Sequence, residues 1–335
     1  MCSTIRDFAL GSGHGRADDE GTNTSVLSTR RSIPGGPRFG SLTSTHAVSD
    51  PKDTRSMTRV GETRGFGFLK WAGGKQWLAT KLAAVLPQDM RTYYEPFLGG
   101  GSLFFACQPN RAHLSDANAA LIETYQVVRD SPTALIAKLA TWPHSRRFYY
   151  SLRGMRSRSS VVRAARFIYL NRTCWNGLYR VNKRGEFNVP YGRFSNPTIC
   201  DSEALNRSHR LLSSADFAVA DFEAAVRTAG ARDLVFLDPP YTVRHSNNGF
   251  LRYNESIFSW RDQARLADTA KRLAARGCHV IVSNAWHSEV LALYRGFHTT
   301  RVRRLTRLAA DSSKRGVAFE AILSSFRIRA DLSQV

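Results

Sequence analysis

Apolar positions are scattered without period up to about residue 65 and become patterned from Phe68 onward. Residues 1–65, rich in Ser, Thr, Gly, Asp and Arg, bury too little to fold and read as a disordered polar and basic tail. Over residues 75–86 the apolar residues recur at helical spacing, and Pro87 ends that helix. Residues 92–95 form a short strand running into Pro96 and a glycine cluster, and a helix begins over Ser102–Cys107. Residues 112–115 form a second short strand that stops at Asp116, and residues 117–130 are again helical. Strand, glycine loop, helix, strand and acid in that order make the first half of a doubly wound α/β sheet.

The texture then changes. Residues 131–206 are dominated by Arg, Tyr, Trp, Asn and Gly, with few long apolar runs. Leu234–Leu237 restores a buried strand that enters Asp238-Pro239-Pro240-Tyr241. Residues 260–276 form a helix closed by Gly277, and residues 278–282 a strand that enters Ser283-Asn284. Residues 301–305 and 320–326 suit a closing antiparallel pair. The expected organisation is one α/β domain over 66–130 and 207–335, interrupted by an insertion over 131–206.

Composition narrows the function. A chain of 335 residues that is 42% hydrophobic can bury a large core. It has no apolar run of about eighteen residues, so no membrane span is expected, and its first residues lack the apolar segment of a secretory signal. Cys2, Cys107, Cys174, Cys200 and Cys278 are odd in number, widely spaced and form no C-x-x-C. They read as reduced thiols of a cytoplasmic protein, with neither a zinc site nor disulfides. The formal charge is +21, and it is not carried by the tail. Up to Gly67 there are nine basic and seven acidic residues; the remainder holds 39 against 20. Such a field attracts polyanions, of which nucleic acid is the usual one, although an unspecialised basic surface would give the same count.

Glu95-Pro96-Phe97-Leu98-Gly99-Gly100-Gly101-Ser102 sits where a strand meets a helix. Glycines there let the backbone approach a ligand, and the helix start offers free N–H groups. Taken alone the loop reads equally well as a plain tight turn. With Asp116 about twenty residues on, where such folds set an acid against ribose hydroxyls, a nucleoside-bearing cofactor is the better reading. A second glycine-containing helix start, Lys70-Trp71-Ala72-Gly73-Gly74-Lys75, lacks the spacing of a phosphate loop. Lys75 is badly placed for the helix dipole, which hints at service to a ligand.

Asp238-Pro239-Pro240-Tyr241 carries the chemistry. Four residue types each near 5% usage give a chance match of about one in several hundred for a chain this long, so its place at the end of an apolar strand is informative. The exocyclic amine of adenine is a poor nucleophile because its lone pair is delocalised into the ring. A carboxylate and a backbone carbonyl, here Asp238 and the carbonyl of Pro239, can each accept one N–H and favour a pyramidal nitrogen. Two prolines stiffen the loop and donate no competing N–H, and Tyr241 presents a flat face to a flipped base. Asp238→Ala is expected to abolish transfer and leave the fold intact.

The four motifs together, residues 70–75, 95–102, Ser115-Asp116-Ala117-Asn118 and 238–241, resemble the Dam-type family of D12-class adenine-N6 DNA methyltransferases. The similarity runs from about Phe68 to Phe326, and residues 170–180 and 185–192 share it. It implies a Rossmann-like, S-adenosyl-L-methionine-dependent methyltransferase sheet with an inserted, mostly helical target-recognition domain containing a hairpin. It implies cofactor contacts from Trp71, Lys75, Asp116 and Asp238, with Glu95, Pro96, Phe97, Gly99 and Gly101 around the methionine end. It implies double-stranded DNA as partner, read by Trp175, Asn176, Leu178, Arg180, Arg184, Pro190 and Arg193. Trp175 reads equally well as a local packing residue. The family also implies a monomer that either accompanies a separately acting restriction endonuclease or works alone.

Two other function classes compete. A cytosine-N4, RNA-adenine or protein-glutamine methyltransferase would use the same sheet, and Asp rather than Ser or Asn before Pro-Pro-Tyr separates them by resemblance only. A non-catalytic DNA-binding relic would not need Lys75, Asp238, Tyr241 and the glycine loop all intact. The tail carries no motif and is expected to be dispensable: a chain starting at Met57, a sensible alternative start, should keep its activity and melting temperature, and a large loss of either would show that the tail does work.

Overall fold

The computed structural model describes residues 67–182, 184–192, 194–242, 258–305, 317–328 and 332. The tail, Lys183 and Arg193 therefore lie outside the described residues. Among the described residues seven strands form the sheet: β1 (Tyr93–Glu95), β2 (Ala112–Asp116), β3 (Ala215–Val219), β4 (Leu234–Leu237), β5 (His279–Ala285), β6 (His298–Leu305) and β7 (Val317–Ser324). Their order is β3-β2-β1-β4-β5-β7-β6. β1 to β5 run parallel, and β7 lies antiparallel to both β5 and β6. The order reverses between β1 and β4, so the ends of those strands flank the crevice where such sheets take their ligands.

The helices follow from local signals. α1 (Gln76–Ala83) starts directly after Lys75 and α2 (Ser102–Cys107) directly after Gly101. α3 (Ala119–Asp130) is capped by the Asn118 side chain on the Leu121 N–H. After β2 and α3 come α4 (Pro132–Ala140), α5 (Arg146–Gly154) and α6 (Ser160–Thr173), the last two capped by Ser145 and Ser159. α7 (Ser202–Leu212), capped by Asp201, leads to β3, and α8 (Phe222–Ala225) follows it. α9 (Trp260–Ala275) opens with a reciprocal Ser259–Asp262 capping box, and α10 (Ser288–Leu293) follows β5.

Two apolar clusters cover the two faces of the sheet. One joins Tyr93, Leu114, Phe236 and Ile281 of the strands to Leu135, Leu152, Phe167 and Leu170 of α4 to α6. The other packs Val235, Leu237 and Val280 against Leu266, Ala270 and Leu273 of α9. The helices of the insertion thus have no core of their own among the described residues; they share the one that holds the sheet. The strand expected at 278–282 continues to Ala285, because Ser283 and Asn284, both fully buried, still pair with β7. No helix among the described residues is long and apolar enough to cross a membrane.

Candidate active site and nucleic-acid interface

β4 runs apolar through Leu237 and its next residue, Asp238, emerges at the crevice. The Lys75 side chain reaches it from the start of α1. Lys75 Nζ donates to both oxygens of Asp238, at 2.8 and 2.9 Å, and to the Gly73 carbonyl at 2.8 Å. The Lys75 side chain is 2% exposed and that of Asp238 18%. Burial pushes the Asp238 carboxyl up from its usual value, and the Lys75 ammonium opposes that rise. The same ammonium stands over the Tyr241 ring, 4.9 Å from its centroid, so one face of that ring is already occupied.

Residues outside the four motifs complete the network. The Tyr241 hydroxyl meets Ser283 Oγ at 2.7 Å and donates to Glu320 Oε2 at 3.0 Å. Arg304 donates to the other oxygen of Glu320 at 2.7 Å. Asn284 donates to Gln263 Oε1, and Gln263 Nε2 in turn donates to the Pro240 carbonyl, which fixes the proline loop from α9. Pro239 is buried.

The glycine loop is shaped by what lies on it. Gly99 has φ +45°, and a Cβ there would stand 2.7 Å from Cδ1 and Nε1 of Trp71. Gly101 has φ +62° and precedes α2. The Asp116 carboxylate accepts from the Gly99 N–H at 3.1 Å and the Asn118 N–H at 2.9 Å. Burial raises its pKa, and those two N–H bonds partly offset the rise. Glu95 and Pro96 are buried beneath the loop, where Glu95 accepts from the Tyr93 hydroxyl at 2.9 Å and burial holds its carboxyl far above the usual range. Phe97 packs against the rings of Phe222 and Phe258, with centroids 5.5 and 5.6 Å apart.

The residues expected to read DNA lie on one stretch of the insertion. Trp175 is 44% exposed, and Asn176 beside it adopts φ +53° in a single 3-10 turn. Gly177 turns under them, Leu178 is half-buried, and Arg180 Nε donates to Asn188 Oδ1 at 2.8 Å. A hairpin bridged at Val181–Phe187 carries Arg184 at its exposed end. The carbonyl of exposed Pro190 accepts from the Trp175 N–H at 2.9 Å and closes the stretch. Arg193 lies outside the described residues. Most of the stretch lies within residues 131–185, which hold twelve Lys and Arg and not one Asp or Glu.

The two groups are joined by side chains of the 70–75 and 170–180 stretches, through contacts that the sequence did not suggest. Asn171, buried near the end of α6, accepts from the Lys70 N–H at 2.9 Å and donates to the Lys70 carbonyl at 2.7 Å. Trp71 stacks on Tyr179, with centroids 5.7 Å apart. A cavity of about 650 Å³ opens beside the 71–74 segment, but its lining includes Arg172, Asp201 and Arg207 and neither Asp116 nor Asp238.

Comparison with known proteins agrees with this geometry. A family model described as D12 class N6 adenine-specific DNA methyltransferase matches residues 71–308. The chain is 36% identical over 269 residues to the Type II methyltransferase M1.LlaDCHI of Lactococcus lactis subsp. cremoris, covering 77% of this chain and 95% of that protein. It is 35% identical over 285 residues to the Type II methyltransferase M.MjaIII of Methanocaldococcus jannaschii, covering 77% and 98%. It is 34% identical over 223 residues to the DNA adenine methylase of Escherichia coli K12, covering 65% and 80%.

Proposed function

The chain belongs to the family of D12 class N6 adenine-specific DNA methyltransferases, and from that premise we propose how its residues methylate adenine, with S-adenosylmethionine as donor and duplex DNA as acceptor. The observation that carries the reading is the Lys75–Asp238 pair at the open end of β4, beside the glycine loop.

The residues fit the donor. A carboxylate offers about four acceptor positions, so Asp116 can hold the Gly99 and Asn118 N–H groups and still accept ribose hydroxyls. Gly99 and Gly101 keep the loop free of side chains, Phe97 lines the methionine end, and Trp71 walls the other side. When bound, S-adenosylmethionine supplies a methyl group already activated on a positively charged sulfur. Asp238 accepts one N–H of the target amine and the Pro239 carbonyl accepts the other, which favours a pyramidal nitrogen whose lone pair is withdrawn from conjugation with the ring. Asp238 then takes up the proton that the methylated amine sheds. Tyr241, fixed by Ser283 and Glu320, supplies the aromatic ring against which the flipped base would stack.

A base inside a duplex cannot reach this crevice, so the target is flipped out. Trp175 and Asn176, both exposed on one turn, would fill the vacated place, and the acid-free basic stretch would hold the phosphates. We take the enzyme to act as a monomer. Its four described cysteines are free, as suits a reducing cytoplasm. The Type II names of two relatives favour a separately acting restriction endonuclease as companion.

Transfer of labelled methyl from S-adenosylmethionine to a randomised duplex pool, followed by nucleoside analysis, tests this reading. N6-methyladenine is the expected product, whereas label in cytosine or in protein would overturn it. In the same pool Arg180→Ala is expected to lose about 1–3 kcal/mol of discrimination at one base position, because its guanidinium fork suits guanine. Equal weakening on all sequences, with a salt slope shallower by about one, would demote Arg180 to a phosphate contact.

A further inference from the structure

We infer that Glu320 is a positioning residue of the amine pocket, the counter-charge that keeps Lys75 partnered when Asp238 engages the target base. The inference rests on the role given above to Asp238.

Two of the three Lys75 protons lie on the two Asp238 oxygens and the third on the Gly73 carbonyl. A carboxylate straddled by an ammonium is a weak acceptor for a neutral amine, so a strong bond to the target requires the ammonium to loosen. An unpartnered ammonium this deeply buried is strongly unfavourable. Glu320 Oε2 stands 3.8 Å from Lys75 Nζ, and the Glu320 side chain is 4% exposed. A shift of about 1 Å would bring the two into hydrogen-bond range. The strand register fixes Glu320 in that place, opposite Ala285 of β5 and Val302 of β6. Arg304 grips one of its oxygens and the Tyr241 hydroxyl the other, so it is held as a rigid anion. Lys75 and Arg304 then balance Asp238 and Glu320, and the pocket stays neutral whichever carboxylate the ammonium favours.

A double-variant cycle tests this by single-turnover methylation of a duplex with labelled S-adenosylmethionine. Glu320→Gln removes the charge and keeps one acceptor, which Arg304 can hold while the amide NH2 donates to the Tyr241 hydroxyl. It is expected to slow transfer about 10²-fold with little change in the half-saturating DNA and cofactor concentrations. In a Lys75→Met background it should cause no further loss, because the group it serves is gone. In a Lys75→Arg background, where a cation remains, the loss should return. Arg304→Met offers a second route, with a smaller loss that also vanishes with Lys75→Met. Multiplying losses in the double variant, or a Glu320→Gln rate within about twofold of wild type, would overturn the inference. The two failures separate cleanly: an active Asp238→Asn protein defeats the amine-pocket reading itself, whereas an inactive Asp238→Asn beside a fully active Glu320→Gln defeats only the role of Glu320.

Discussion

An Asp238→Asn protein is expected to bind DNA, to melt close to the wild type and to lose methyl transfer by about 10³-fold or more. Asparagine fills the same volume and keeps one oxygen for Lys75, whose other contact at Gly73 is untouched. It replaces the second acceptor with a donor aimed at the amine, so the target nitrogen can no longer be held by two acceptors. The sequence alone recommended Asp238→Ala, because a carboxylate standing before Pro239-Pro240 was expected to serve transfer and not folding. The buried pair changes that choice. Alanine would leave a 2%-exposed ammonium without its main partner, a loss of about 3–5 kcal/mol, and inactivity would then be ambiguous. Single-turnover transfer alongside thermal melting checks the asparagine variant, and a rate within tenfold of wild type sinks the role assigned to Asp238.

Gly99→Ala is the second large effect. Its new methyl would meet the Trp71 ring at 2.7 Å in a backbone conformation, φ +45°, that alanine adopts at a cost. The ring has no easy retreat, because Tyr179 and Phe167 stack with it on the side of the insertion. Overpacking and the left-handed backbone together predict a destabilisation of roughly 2–5 kcal/mol. Cofactor affinity should fall with it, since the same displacement moves the Gly99 N–H away from Asp116. Melting and equilibrium binding of labelled S-adenosylmethionine read the two effects separately. An alanine protein with wild-type values for both would show that the loop is slack rather than shaped.

The parts of this molecule that could be read from its sequence are those where one local rule decides. Leu234–Leu237 is apolar without interruption because both faces of β4 are buried, and its end marks the site. Ser102–Cys107 follows its glycines, and Trp260 follows a capping serine. β3 was not read because its apolar run is short, residues 217–220 set between Asp216 and Asp221, and as an edge strand it exposes Asp216, Ala218 and Val219 instead of showing a buried-strand pattern. Glu320 was hidden for the opposite reason. An acid in an otherwise apolar strand carries no motif, and only the pairing of β7 with β5 brings it to Lys75 and Tyr241. Asn171 was likewise quoted only as part of a longer string, because its partner lies 101 residues earlier. The Tyr241 ring was read as an open face, whereas Lys75 covers one side of it.

The Asn171 clamp bears on how new specificities arise in such an enzyme. A hairpin that reads DNA looks like a cassette, to be exchanged between relatives by recombination or by design. Here the segment is tied back by an amide paired with the Lys70 backbone, by Tyr179 stacked on Trp71, and by the packing of Gly177, where even one added carbon would meet Lys70 at 2.7 Å. A donor hairpin cut in between Cys174 and Pro190 would arrive without the seat it evolved on and would tilt the residues that lead to Lys75. Working crossovers should fall outside this seam, so that residues 68–75 travel with the reading segment, and lineages that changed target sequence would have changed both pieces together.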